Sequence, residues 1–261
     1  MAKQKVIAKV ARQEQIAAGI FDMWIETALA QDAKPGQFIS VYPKDKSTLL
    51  PRPISICEVN EDKTMIRIVY RVAGKGTTEF SAYTAGDDIA ILGTLGNGFP
   101  LDVAKGKRVF LMGGGIGIPP MLELAKQLKK QYDVESRIVV GYRDNQTFLA
   151  DDLAKYGSVY IASEDGSVGS KGNVMNAIEE NNLSADIIMA CGPMPMLRAI
   201  KQYAEANNMT AYISLEERMA CGVGACLGCV VKTKEVDHHS HVHNARICTD
   251  GPVYDAKEVE I

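Results

Sequence analysis

The chain has 261 residues, 46% of them hydrophobic and 23% charged, with a formal net charge of −3. These proportions describe a globular protein with room for a sizeable core and one to three domains. The slightly acidic balance argues against a nucleic-acid or membrane-surface protein. The opening segment MAKQKVIAKVARQEQ is interrupted by charges and has no apolar core like that of a signal peptide, and no apolar run approaches a membrane span. A cytoplasmic enzyme is expected, with Cys57 and Cys191 as thiols.

The first hundred residues read as β. Runs rich in Val, Ile, Phe and Tyr recur at 6–10, 21–27, 37–42, 53–59, 64–70 and 88–92. Turn signals separate them: Lys34-Pro35-Gly36, where Pro presets φ, and Ala85-Gly86-Asp87, where Gly accepts a positive φ. Short strands at this spacing predict a closed antiparallel barrel. From Lys107 the rhythm becomes strand, then helix. An apolar run at 109–112 enters the loop Gly113-Gly114-Gly115-Ile116-Gly117-Ile118. A helix is expected over 119–132, with Met121, Leu122, Leu124, Ala125 and Leu128 on one stripe and Pro119-Pro120 in its first turn. Further strands are expected at 137–142, 159–162, 187–190 and 210–215, and helices at 174–181 and 194–207. This alternation implies a parallel sheet with covering helices.

The glycine loop lies between a strand and a helix, where backbone amides approach a pyrophosphate and the helix N-terminus favours negative charge. Ile118 holds the last glycine position, so the G-x-G-x-x-G fingerprint is incomplete and a tight turn that binds nothing is the competing reading. Near the C-terminus stand Cys221, Cys226, Cys229 and Cys248, spaced C-x4-C-x2-C with the fourth cysteine further on. That is the plant-type ligand pattern of a [2Fe–2S] cluster. Gly222, Gly224, Ala225 and Gly228 allow close wrapping of a loop around an inorganic core. A four-cysteine zinc site is the alternative, but it favours two short cysteine hooks and only one is present. His238, His239, His241 and His243 suggest a metal site or, since they lie between Cys229 and Cys248, a loop or hairpin over the cluster.

Arg52-Pro53-Ile54-Ser55, Gly74-Lys75-Gly76-Thr77, Leu95-Gly96-Asn97-Gly98-Phe99, the glycine loop and Cys191-Gly192-Pro193-Met194 follow one another along the chain. In that order they resemble the ferredoxin-reductase superfamily, in which a flavin-binding barrel precedes a nicotinamide-binding α/β domain. Arg52–Ser55, Tyr70-Arg71-Val72 and the segment SLEERMACGVGAC over 214–226 closely resemble the electron-transfer subunit of type B dihydroorotate dehydrogenase. The likeness runs from end to end.

The resemblance implies a multidomain β plus α/β protein: an FAD-binding antiparallel β-barrel over 1–102, a NAD-binding α/β domain with a parallel sheet over 103–213, and a small [2Fe–2S] domain over 214–261. It implies FAD, a [2Fe–2S] cluster and NAD. FAD would contact Arg52, Pro53, Ile54, Ser55, Val69, Tyr70, Arg71, Gly76 and Thr77, with the Arg52 guanidinium suited to two pyrophosphate oxygens. Arg52 as a solvated barrel residue and Tyr70 as barrel packing are the plain alternatives. NAD would meet Gly113, Gly115, Gly117, Cys191, Gly192 and Pro193. Arg143 hints at a 2′-phosphate, and no acidic residue stands out for the ribose. Hydride chemistry between two cofactors requires no protein nucleophile, so none is assigned to Cys191. Cys221, Cys226, Cys229 and Cys248 would hold the cluster, with Glu216, Glu217 and Arg218 bridging flavin and cluster.

The implied function is an electron relay from the FMN of a dihydroorotate dehydrogenase catalytic subunit, through the cluster and FAD, to NAD. The implied assembly is a heterotetramer of two plus two. An NAD-linked subunit of a sulfide dehydrogenase, sulfite reductase or hydrogenase is the alternative within electron transfer. A zinc-bearing nucleotide-binding module is the alternative outside it.

Overall fold

The computed structural model describes residues 4–236 and 241–261. Six antiparallel strands among them close a barrel: β1 (Gln4–Ala17), β2 (Ile20–Glu26), β3 (Phe38–Tyr42), β4 (Arg52–Val59), β5 (Met65–Arg71) and β6 (Asp88–Leu95), in the order β1-β2-β5-β4-β3-β6. The alternation of each strand sets its two faces. Ile39 and Val41 of β3 join Met23, Ile25, Ile56 and Ile68 inside the barrel, while Phe38 points out to a separate core shared with the C-terminal segment. β1 runs further than its apolar run suggested, to Ala17, with irregularities at Val10/Arg12 and Gln15/Ala17 that let it bend around the barrel. A short helix, α1 (Lys75–Phe80), lies between β5 and β6 where no helix was expected. Six residues carry too little periodicity to be seen, and the buried Phe80 ring, edge-on to Tyr70, fixes the helix on the barrel.

The second sheet has the order β10 (Ser170–Lys171), β9 (Gly157–Ser163), β8 (Ser136–Tyr142), β7 (Val109–Gly114), β11 (Ile187–Cys191), β12 (Thr210–Ser214) and β15 (Val253–Asp255). The helices are α2 (Pro119–Tyr132), α3 (Ala150–Leu153), α4 (Val174–Glu180) and α5 (Met194–Ala206). α2 has the expected bounds, and its stripe of Met121, Leu122, Leu124, Ala125 and Leu128 is buried against one face of the sheet. Leu197, Ile200 and Ala204 of α5, with Val174, Ala177 and Ile178 of α4, cover the other face. Parallel pairing holds from β10 to β12, but β15 pairs antiparallel to β12, so the sheet is mixed. The extra strand comes from the cysteine-bearing segment, which leaves the sheet after β12 and returns to it. Within that excursion β13 (Val230–Lys232) and β14 (Asn244–Arg246) form a hairpin.

Helix α2 also fastens the sheet to the barrel. The Val59 N–H donates to Glu123 Oε2 at 2.9 Å, and Lys126 Nζ donates to the Val59 carbonyl at 2.6 Å. Glu123 and Lys126 are both buried and stand one turn apart, so together they satisfy both backbone groups of one barrel residue. Arg67 of β5 adds a second tie, pairing with Asp22 at 2.8 Å, Glu58 at 3.1 Å and, across the domains, Asp152 of α3 at 3.0 Å. Among the described residues no helix is long and apolar enough to cross a membrane.

Candidate functional site

A cleft of about 590 Å³ opens on the outer side of the barrel. Arg52, Pro53, Ile54 and Ser55 line it from β4, Val69, Tyr70 and Arg71 from β5, and Thr77 from α1. Gly76 does not line the cleft. It makes room beside it, because a methyl group there would lie 3.0 Å from Arg52 Nε. Arg52 is further fixed by a 2.6 Å hydrogen bond to the Leu50 carbonyl. The Thr77 hydroxyl accepts from Ala73 N at 2.8 Å and donates to Gly74 O at 3.0 Å, so it closes the turn. Tyr70 donates to Gln13 Oε1 at 2.7 Å and stacks on Phe21, which orients its ring, and burial raises its phenol so that it stays neutral. The far wall is Ser214 to Met219, with Pro252. Glu216 opens onto this cleft but is hemmed in by protein; that desolvation raises its carboxyl, while Arg71 opposes the shift.

A second cleft, of about 580 Å³, lies at the C-terminal edge of the sheet, where ligands of such folds sit. Of the residues expected there, Gly115 and Pro193 line it, as does Gly114 between β7 and the loop. Gly113, Gly117, Cys191 and Gly192 lie behind the wall. A methyl on Gly117 would collide with the Cys191 carbonyl, and one on Gly113 would lie 2.9 Å from the Ile118 Cα. Gly117 thus lets the loop pack against the end of β11, and Gly113 lets it fold back on β7 through Ile118. Cys191 is buried, paired in register between Gly113 and Ser214; burial, and then the Glu216 charge, raise its thiol. It therefore remains a neutral packing group. Arg143, Asp144, Phe148 and Glu164 also line the cleft. Asp144 and Glu164 put two carboxylates in this cleft where the sequence singled out no acidic residue. Glu164 follows a different strand, so local spacing could not reveal it.

The two clefts share a wall, since Arg71 and Ile116 line both. On its other side the barrel cleft is bounded by the segment that runs directly into Cys221. The cysteine loop is shaped by backbone: Gly222 and Gly224 have φ of 68° and 80°, the left-handed region. Val223 N donates to Cys221 Sγ at 3.4 Å and Gly224 N donates to Cys248 Sγ at 3.2 Å. Burial raises the Cys221 thiol, but the Val223, Cys226 and Ala225 amides and the Cys226 side chain outweigh it and bring it to about 6. Burial and the neighbouring Cys229 push Cys248 up to about 12. Cys221, Cys226, Cys229 and Cys248 supply four sulfurs, the number a two-iron unit requires. Among the described residues no three His, Cys, Asp or Glu converge to hold a single metal ion.

The loop is clamped from the barrel. Asn97 Nδ2 donates to the Thr249 and Asp250 carbonyls, each at 3.1 Å, directly after Cys248. The sequence shows Asn97 within a glycine-flanked segment of the family pattern but not its partners across the fold. His243 Nδ1 lies 3.0 Å from the Lys234 carbonyl in the connection of the β13–β14 hairpin, while His238 and His239 lie outside the described residues.

The family described as the iron–sulfur cluster binding domain of dihydroorotate dehydrogenase B matches residues 216–260, and the oxidoreductase NAD-binding domain matches residues 111–202. The chain is 40% identical over 262 residues to the dihydroorotate dehydrogenase B (NAD(+)) electron transfer subunit of Geobacillus sp. (strain WCH70), covering 99% of both. It is 40% identical to the subunit of the same description from Streptococcus mutans, covering 96% of both. Among solved structures it is similar to a chain of the NADH-dependent reduced ferredoxin-NADP oxidoreductase described for flavin-based electron bifurcation, with a TM-score of 0.86, 26% identity, and coverage of 98% of this chain and 90% of that one. The barrel, the sheet with its edge cleft and the four-cysteine loop define an oxidoreductase of the ferredoxin-reductase type. Within that class the chain belongs to the family of dihydroorotate dehydrogenase B (NAD(+)) electron transfer subunits.

Proposed function

We propose that this chain is the electron-transfer subunit of an NAD-dependent dihydroorotate dehydrogenase, carrying electrons from the FMN of a catalytic partner subunit to NAD+. FAD would occupy the barrel cleft, NAD the sheet-edge cleft and a [2Fe–2S] cluster the cysteine loop. The observation that carries the assignment is the order of the sites: the barrel cleft shares Arg71 and Ile116 with the nucleotide cleft and abuts the 214–219 segment leading to Cys221. Bound flavin supplies the exchange between paired and single electrons that nicotinamide and an iron–sulfur centre require of each other.

The protein's own work is to hold and insulate. Arg52 offers its guanidinium to pyrophosphate oxygens. Pro53, Ile54, Ser55, Val69 and the locked Tyr70 give the cleft a rigid wall, Arg71 stands at the junction, and Gly76 and Thr77 keep the adjoining turn tight. Gly115 and Pro193 face the nucleotide, while Gly113, Gly117, Cys191 and Gly192 set the loop close enough to receive it. Cys221, Cys226, Cys229 and Cys248 hold the cluster, with amides already aimed at two of the sulfurs. The units are a barrel over 1–102, a nucleotide domain over 103–213 and a cluster segment over 214–261, in a heterotetramer of two plus two in the cytoplasm.

The test is purification with and without the catalytic partner. The isolated chain should contain FAD, iron and acid-labile sulfide, and should reduce artificial acceptors with NADH. It should oxidise dihydroorotate only when the partner is added. Dihydroorotate oxidation by the single chain, or folded chain without labile sulfide, would overturn the assignment.

A further inference from the structure

Ser40 is a buried polar residue without a partner on the outer face of β3. Its residue has no solvent exposure and its Oγ makes no hydrogen bond. Phe38, two residues earlier on the same face, lines the barrel cleft, so this face of β3 leads from that cleft toward the cysteine loop. At the loop end Ser40 meets Gly222, the residue after Cys221: a methyl group on Gly222 would lie 3.3 Å from Ser40 Oγ and 3.1 Å from Leu95 Cδ1. Apolar groups stand beside Ser40: Leu92 is its partner on β6, and Leu95 and Leu92 reach the same point at Gly222.

A serine in such a layer loses its water and gains nothing unless it donates to something. Alanine would fill the same space without that loss. The group expected beside Gly222, once the cysteines are loaded, is an anionic sulfur of the cluster, which is an acceptor. Hydrogen bonds to these sulfurs stabilise the more negative, reduced state and so raise the reduction potential. The chain supplies amide donors to Cys221 and Cys248, but those belong to the backbone. Ser40 is a donor from the barrel itself.

We propose that the Ser40 hydroxyl donates a hydrogen bond to a sulfur at the Cys221 end of the cluster and thereby raises its reduction potential. This inference rests on the assignment of the cysteine loop to a [2Fe–2S] cluster. The direction of the effect follows from charge: removing the donor makes the added electron costlier to hold.

The test compares the wild-type complex with Ser40→Ala, by potentiometric titration followed by EPR and by resonance Raman spectra of the Fe–S stretches in H2O and D2O. Ser40→Ala should shift the midpoint to more negative values, by about a tenfold change in the reduction equilibrium, or about 59 mV for one electron. It should also lose part of the deuterium sensitivity of the stretches. Ser40→Cys, a weaker donor of similar shape, should fall between the two and keeps the comparison available should the alanine variant load poorly. A loaded cluster with unchanged potential and isotope shift in these variants would overturn this inference alone. Wild-type protein without iron or labile sulfide would overturn the parent assignment.

Discussion

The backbone N–H of Asn97 donates a 2.6 Å hydrogen bond to the carbonyl of Gly251, joining the last turn of the barrel to the loop behind Cys248. The Asn97 side chain adds its two bonds to Thr249 and Asp250. Asn97→Ala keeps the backbone bond and removes the other two, weakening the loop by about 1 kcal/mol. The variant should release iron faster to a chelator, followed by loss of visible absorbance, with flavin content unchanged. Equal rates in variant and wild type would show that the clamp does not hold the cluster.

Gly117→Ala should act on the nucleotide alone. The added methyl meets the Cys191 carbonyl, so the glycine loop must move away from β11. NADH oxidation with an artificial acceptor should show a KM at least about tenfold higher, equivalent to about 1.4 kcal/mol of binding. Flavin and iron contents, measured on the same sample, should match wild type.

Asp144 and Glu164 face the nucleotide cleft together with Arg143. A carboxylate accepts the ribose 2′-hydroxyl of NAD and repels the 2′-phosphate of NADP. Asp144→Asn with Glu164→Gln should narrow the preference for NADH over NADPH by about tenfold, or about 1.4 kcal/mol, in the ratio of kcat/KM values. An unchanged ratio would mean that neither carboxylate reads the ribose.

Lys126 is nearly inaccessible and serves the Val59 carbonyl and Glu58 together. Lys126→Met leaves buried acceptors unpaired at the seam between barrel and sheet, a loss of about 3 kcal/mol by analogy with broken buried ion pairs. Denaturant titration should show the lower midpoint. Adding the exposed-surface change Lys257→Met instead should leave the midpoint in place, since Lys257 lies outside any such seam.

Glu216 opens onto the barrel cleft, yet desolvation by the surrounding protein raises its carboxyl above its usual 4.5, with Arg71 opposing. A carboxyl whose folded value exceeds its unfolded value favours the folded state in its protonated form. Its contribution is therefore fully present below about pH 4.5 and is lost as pH rises through the raised folded value. Glu216→Gln should flatten the stability–pH curve above pH 4.5, as read by thermal melts across a buffer series. A parallel curve for the variant would exclude this carboxyl as a contributor.

What the sequence made legible was local. The stripe of α2 shows in five apolar residues at helical spacing, and the cysteine spacing carries its ligand pattern without help from the fold. The barrel followed from runs of β-branched residues between turns. Features that depend on a distant partner did not show. Nothing in the local sequence marks the distant partners of Asn97, Ser40, Glu123 or Lys126. Gly113 and Gly117 carry a different lesson: a glycine required for packing and one required for a ligand look alike in sequence, and only their neighbours, Ile118 for Gly113 and the Cys191 carbonyl for Gly117, distinguish them.

Strands β12 and β15 are antiparallel neighbours, with Tyr212 opposite Asp255, Ile213 opposite Tyr254 and Ser214 opposite Val253. The whole iron-binding portion is thus, topologically, the loop of an enlarged hairpin, with its two stems only about 5 Å apart. Such a unit can be gained or lost by one insertion or deletion without rerouting the polypeptide. A two-cofactor reductase and a three-centre conduit are in that respect a single splice apart.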